Sequence, residues 1–164
     1  MNKFTVAGVA VACMITIGSG LPAARAQSQA GATGTEFVRM TPDTLKWVDP
    51  PTFPGAKLAI VNGDPSKEGL FVYRVKVPAN YKIPPHKHKA SENVTVLSGV
   101  FFVGIGEKFD QGSGTELPVG GFIAIPPEHA HFAWAGSQET VVQVHGVGPT
   151  DIRFINPADD PRKK

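Results

Sequence analysis

Two histidines one residue apart, His86 and His88, follow a proline pair in the stretch PPHKHKASENVTVLSG (84–99), and Glu92 stands four positions beyond the second. Imidazole nitrogens and a carboxylate oxygen are donor atoms of divalent-metal sites, at about 2.0–2.2 Å from the ion. On an extended segment, residues two apart share a face, so His86 and His88 point the same way. Glu92 reaches the same spot if the chain kinks at Lys89-Ala90-Ser91. An H-x-H pair alone is common in solvated loops. The glutamate at fixed spacing, the β-branched run behind it and Gly99 at its end make the pair a candidate cage. A second pair, His129 and His131, stands in GGFIAIPPEHAHFAW (120–134), where a strand runs into a proline-marked turn and His131 opens another apolar run.

These side chains need a scaffold, and the sequence predicts a β-rich one. Helix signals are nearly absent. Short apolar or alternating runs recur at 57–61, 69–78, 93–99, 100–106, 120–126, 131–135, 139–148 and 151–156, several of them separated by turn punctuation such as NGDPSKEG, DQGSGTE and AGSQ. In the second run Phe71, Tyr73, Val75 and Val77 alternate with Arg74 and Lys76, giving one buried face and one wet face. The expectation is an all-β sandwich or barrel. Ser98-Gly99, between two such runs, is expected to turn a hairpin.

The chain has 164 residues, one domain's worth. MNK, an apolar run rich in small residues and PAARA predict an export signal over 1–26, cleaved after Ala26, rather than a membrane anchor. Residues 27–50 are expected to be a lead-in and N-terminal arm, 51–157 the β-domain and 158–164 a polar tail. Cleavage would remove the only cysteine, Cys13, and Lys3 and Arg25 of the 16 basic residues, leaving 14 against 14 acidic ones. A neutral chain argues against nucleic-acid binding. The mature chain would have neither disulfide nor thiolate ligand. Periplasmic or secreted location is expected, with no membrane association after cleavage.

Residues 86–99 resemble the first motif of the cupin superfamily, H-x-H, three residues, Glu, six residues, Gly, here His86, His88, Glu92 and Gly99. The second motif maps onto Gly120, Pro126, Glu128 and His131. Glu128 replaces the usual glycine, which implies a turn without positive φ, and Ala135 stands where many cupins have asparagine. The resemblance covers about residues 70–147 and implies a single-domain jelly-roll β-barrel, the double-stranded β-helix, holding one divalent metal on His86, His88, Glu92 and His131. Spacing from Pro126 favours His131 over His129, which would serve only if the turn register shifted. His129, Gln143 and His145 are candidate neighbours of the ligands; for the last two a satisfied core pair is the alternative. Most of Phe101, Phe102, Phe122, Phe132 and Trp134 are expected in the core, one or two in the cavity wall. Tyr73 and Tyr81 are candidate donors to that cavity.

Three imidazoles and a carboxylate leave positions in an octahedral shell open to water, dioxygen or a chelating substrate. Loading outside the cytoplasm puts copper or manganese ahead of iron, with zinc and nickel also compatible. The resemblance implies an oxidoreductase of dioxygenase or oxidase type acting on a small oxygenated molecule or sugar unit, with Glu92 as ligand or base. The alternatives are a non-catalytic cupin binding a sugar, metal or small ligand, and a Lewis-acid isomerase or lyase. A homodimer through the arm or a sheet edge is expected.

Overall fold

The computed structural model describes residues 37–163; the expected signal at 1–26, the lead-in up to Glu36 and Lys164 lie outside them. Ten strands follow in chain order: β1 (Lys57–Asn62), β2 (Gly69–Val77), β3 (Lys82–Lys87), β4 (Glu92–Ser98), β5 (Phe101–Ile105), β6 (Thr115–Leu117), β7 (Phe122–Ile125), β8 (His131–Ala135), β9 (Thr140–Gly148) and β10 (Arg153–Phe154). They form two five-stranded sheets, β1-β2-β9-β4-β7 and β10-β3-β8-β5-β6, and every strand pair is antiparallel. No helix among the described residues is long and apolar enough to cross a membrane.

The alternation read from β2 holds, with Phe71, Val75 and Val77 buried. Val94 and Val96 of β4, and Val142 and Val144 of β9, meet Ile83, Val103 and Ala133 of the other sheet in one core cluster. β8 is buried along its whole length. Its odd positions turn inward, while Phe132 and Trp134 face a second apolar layer. There Phe102 stacks on Trp134 at 5.0 Å, and Phe109, from the β5–β6 connection, packs at 5.1 Å from Phe132.

Several expectations are corrected. Ser98-Gly99 makes no hairpin, because β4 and β5 belong to different sheets and the connection crosses between them. Gly99 lies at φ +75°, and a Cβ there would stand 2.5 Å from Thr140 Oγ1, so the crossing itself requires glycine. The alternating runs did not predict β3 or the three-residue β6. The polar tail is largely exposed as expected, but it is structured as far as Lys163. Pro157–Asp159 and Pro161–Lys163 form 3-10 turns, and between them Asp160 is buried and accepts from Arg162 Nε at 2.7 Å. In the arm, Leu45 is buried, Val48 bridges to Leu58, and Trp47 lies under Lys76 Nζ at 4.8 Å from its ring centroid.

Candidate metal centre

β3 contains Pro84 and Pro85, which have no N–H to give to a ladder. Its pairing with β8 accordingly slips between Ile83 and His86, and the irregularity is put to use. Pro84 turns its carbonyl to His86 Nδ1 at 2.7 Å, and Pro85 accepts from Ile155 N at 2.9 Å. Past the slip, His86 pairs directly with His131 across β3 and β8. Their ring centroids are 4.2 Å apart, and His88 stands 5.0 Å from His86 and 5.4 Å from His131. Glu92 opens β4 in the opposite sheet. One ligand atom from each of His86, His88, Glu92 and His131 lies within 4.8 Å of the others.

The second nitrogen of each ring decides what the group can do. His86 Nδ1 faces the Pro84 carbonyl, His131 Nδ1 the His129 carbonyl at 3.1 Å, and His88 Nδ1 the Asp151 carbonyl. A carbonyl only accepts, so all three Nδ1 atoms carry hydrogens and each neutral ring has its lone pair at Nε2. Glu92 Oε2 lies 3.4 Å from His88 Nε2 and 3.2 Å from His131 Nε2. His88 Nε2 is buried without a hydrogen-bond partner. Three lone pairs and a carboxylate facing one another call for positive charge.

The ionisation of the group agrees. Burial, and then the neighbouring His131, push the pKa of His86 down to about 3. Burial alone would raise the Glu92 carboxyl, but the close approach of the His131 and His88 rings outweighs it and holds it well below the ordinary carboxylate range. Burial also disfavours charge on His88, yet Glu92 overrides it and raises His88 above its usual value. A proton is thus drawn into the cage when no cation fills it, and a divalent ion would release it. The residues fit a metal ion.

The cage opens on a cavity of about 290 Å³. Val75, Val94, Phe101, Ile125 and Val142 are among its walls, and Tyr73 is the tyrosine that lines it. Tyr81 lines no part of it and donates to the Pro54 carbonyl at 3.0 Å instead. Of the five strand aromatics singled out in the sequence, Phe101 alone lines the cavity.

A family model for the ChrR cupin-like domain matches residues 35–151. The chain belongs to the ChrR cupin-like family. Among solved structures, this ChrR-like cupin is similar to the polyketide cyclase RemF of Streptomyces resistomycificus, with TM-score 0.63 and 22% identity over 78% of this chain and 92% of that one. It is also similar to KdgF from Halomonas sp., with TM-score 0.53 and 24% identity over 71% and 96% of the two chains. The complex of Rhodobacter sphaeroides SigE with the anti-sigma ChrR matches with TM-score 0.50 and 16% identity, over 65% of this chain and half of that one. No curated protein is significantly similar in sequence. At these identities the solved structures speak for the shared jelly-roll fold alone.

Three other sequence-predicted positions in this ChrR-like cupin fall differently. His129 is exposed, with its ring on the Pro127 carbonyl at 3.1 Å; it touches the centre through its main-chain oxygen, which holds His131. Gln143 and His145 alternate with the inward Val142 and Val144 and so lie on the outer face of their sheet. Gln143 accepts there from Arg74 Nε at 3.1 Å, and His145 stacks on Phe122 with centroids 6.5 Å apart. They are neither a core pair nor neighbours of the cage. Glu128 does adopt positive φ, +65°, the conformation expected of the glycine it replaces. Its carboxylate pairs with Arg153 and with Lys87 Nζ at 3.3 Å, and its N donates to the His88 carbonyl at 2.8 Å. The sequence pattern did not select Asp151 and Pro84, whose carbonyls orient two of the rings.

Proposed function

We propose that this is an exported, mononuclear metal-dependent oxidoreductase of dioxygenase or oxidase type, acting on a small oxygenated molecule with an apolar body. The observation that carries the reading is the convergence of three Nε2 lone pairs and the Glu92 carboxylate at one end of an apolar cavity. His86, His88, Glu92 and His131 would hold the ion, copper or manganese ahead of iron. When bound, such an ion supplies Lewis acidity and one-electron exchange. The protein's own groups do the rest. The valine, isoleucine and phenylalanine walls exclude water and favour an apolar ligand over the sugar unit that the sequence left open. Burial, and then the charge of Glu92, raise the Tyr73 hydroxyl far above its usual pKa, so it keeps its proton. No side chain or carbonyl among the described residues takes that proton, and Tyr73 is free to donate a hydrogen bond to a substrate oxygen.

The test is metal analysis of protein recovered through its export route, followed by dioxygen-uptake screening with small phenols and hydroxy or keto acids. Turnover without dioxygen consumption would move the assignment to Lewis-acid isomerase or lyase chemistry. Ligand binding without any turnover would favour a non-catalytic binding cupin. A homodimer through the arm belongs to the same proposal. Phe37, Val38 and Met40, exposed by 86%, 45% and 37%, support it, and sedimentation at micromolar concentration tests it.

A further inference from the structure

The C-terminal turn carries a charge to the cavity. Among the described residues Arg162 is the one lysine or arginine that lines it. Its guanidinium is fixed on two sides: Nε donates to Asp160 Oδ1 at 2.7 Å, and Nη2 donates to Asp160 Oδ2 at 2.9 Å and to the Ile152 carbonyl at 3.2 Å. Asp160 is itself only 6% exposed and also accepts from Arg162 N at 3.1 Å, which pins the planar fork in one orientation. Nη1 meets no acceptor among the described residues, so two N–H donors remain for a ligand.

Asp160 holds the Nε and Nη2 side of the guanidinium, and no acid lining the cavity is turned to Nη1. Asp151 also lines the cavity, but its Oδ1 accepts from Lys89 N at 2.8 Å and its Oδ2 pairs with Arg153 Nε at 3.0 Å. Glu92 is turned to the imidazoles. Outside the cage, the remaining polar residues lining the cavity, Thr52, Ser66, Tyr73 and Thr150, carry no charge. The two N–H groups of Nη1, half exposed and held in place by the Asp160 pair, can donate to a carboxylate oxygen, and most of the cavity's lining is hydrocarbon.

We propose that Arg162 is the recognition residue for a carboxylate, so that the ligand is a small apolar acid whose body fills the cavity and whose other end reaches the His86, His88, Glu92 and His131 cage. The proposal rests on the metal-centre reading only for that other end.

Binding of trans-cinnamate and of cinnamyl alcohol, which share one apolar body, to the full metal-loaded chain by titration calorimetry tests it, with metal content measured for each variant. The parent binds the acid at least about tenfold more tightly than the alcohol, as a charge-assisted hydrogen bond provides. Arg162→Gln abolishes the preference and leaves alcohol binding in place. Asp160→Asn keeps the shape of the turn but removes the anion competing for the fork, and acid affinity rises; a merely structural role for the pair would lower it instead. An undiminished preference in Arg162→Gln overturns the proposal. So does a preference lost only on stripping the metal, which would put the carboxylate on the ion, and so does failure of the parent to bind either probe. A chain that retains no metal yet keeps an Arg162-dependent preference would defeat the metal-centre reading alone.

Discussion

His86, His88 and His131 are each oriented by a main-chain oxygen, from Pro84, Asp151 and His129 respectively. Side-chain replacement at those three positions leaves the oxygen in place, so ligand and supporting residue separate cleanly by mutation. His129→Ala should keep metal affinity within about threefold of the parent, whereas His131→Ala should lower it by more than about 100-fold, since even the partners of metal ligands are worth 10–100-fold. Metal titration with a chromophoric competitor measures both, and equal losses in the two variants would contradict the assignment. The cage was legible in the sequence because three of its members lie within seven residues and the fourth at a fixed distance from a proline turn. What surrounds it was less so. Parity puts Gln143 with His145, but which face of β9 turns inward depends on its neighbours β2 and β4. Likewise Tyr73 is distinguished from Tyr81 only once the register sets Tyr73 beside Val144.

At the scale of elements, the strands that alternation marks were found, and β3 was not, because its two prolines look like a break. The bulge that accommodates them is also what aims His86, so the feature that hid the strand is the one the site needs. The aromatic layer packs on the face of β8 opposite His131. A Cβ at Gly104 would fall 2.2 Å from Phe132 Cζ. Gly104→Ala should therefore displace the ring, cost about 1–3 kcal/mol of stability as overpacking does, and weaken metal binding through the shift of β8. Urea unfolding of the metal-free protein and metal titration read the two effects; a loss of stability with metal affinity intact would show that β8 moves as little as a rigid rod. The β7–β8 turn makes the opposite kind of case. Glu128 accepts a backbone conformation that glycine takes freely, in exchange for exposed pairs with Arg153 and Lys87. Salt screens those pairs but not the backbone term, so the Tm of Glu128→Gly should rise relative to the parent between low and 1 M salt. A salt-independent difference would mean that the pairs contribute nothing.

Across the whole molecule, the four ligands are divided unequally between the sheets. His86 and His131 belong to the β3–β8 side, with His88 just past the end of β3, while Glu92 alone comes from β4 of the other sheet. The ion would then be a clasp between two layers that otherwise meet through apolar contact, and Glu92 its single attachment on one side. Binding to the folded chain alone stabilises it by about 2.7 kcal/mol at a free ion concentration 100 times Kd, which for a domain of this size corresponds to roughly 10 °C in Tm. Glu92→Gln retains the three imidazoles, so it should still bind metal, more weakly, but the effect on the sheets should change in kind. In the parent, metal should slow amide exchange in β3, β8 and the start of β4 together; in Glu92→Gln the slowing should remain in β3 and β8 and vanish from β4, even at metal concentrations that saturate the variant. Hydrogen exchange at matched saturation distinguishes this from a simple loss of affinity, which would lower protection in both sheets alike. Protection of β4 persisting in the saturated variant would show that the layers are joined by their packed core and that the carboxylate serves the ion rather than the fold.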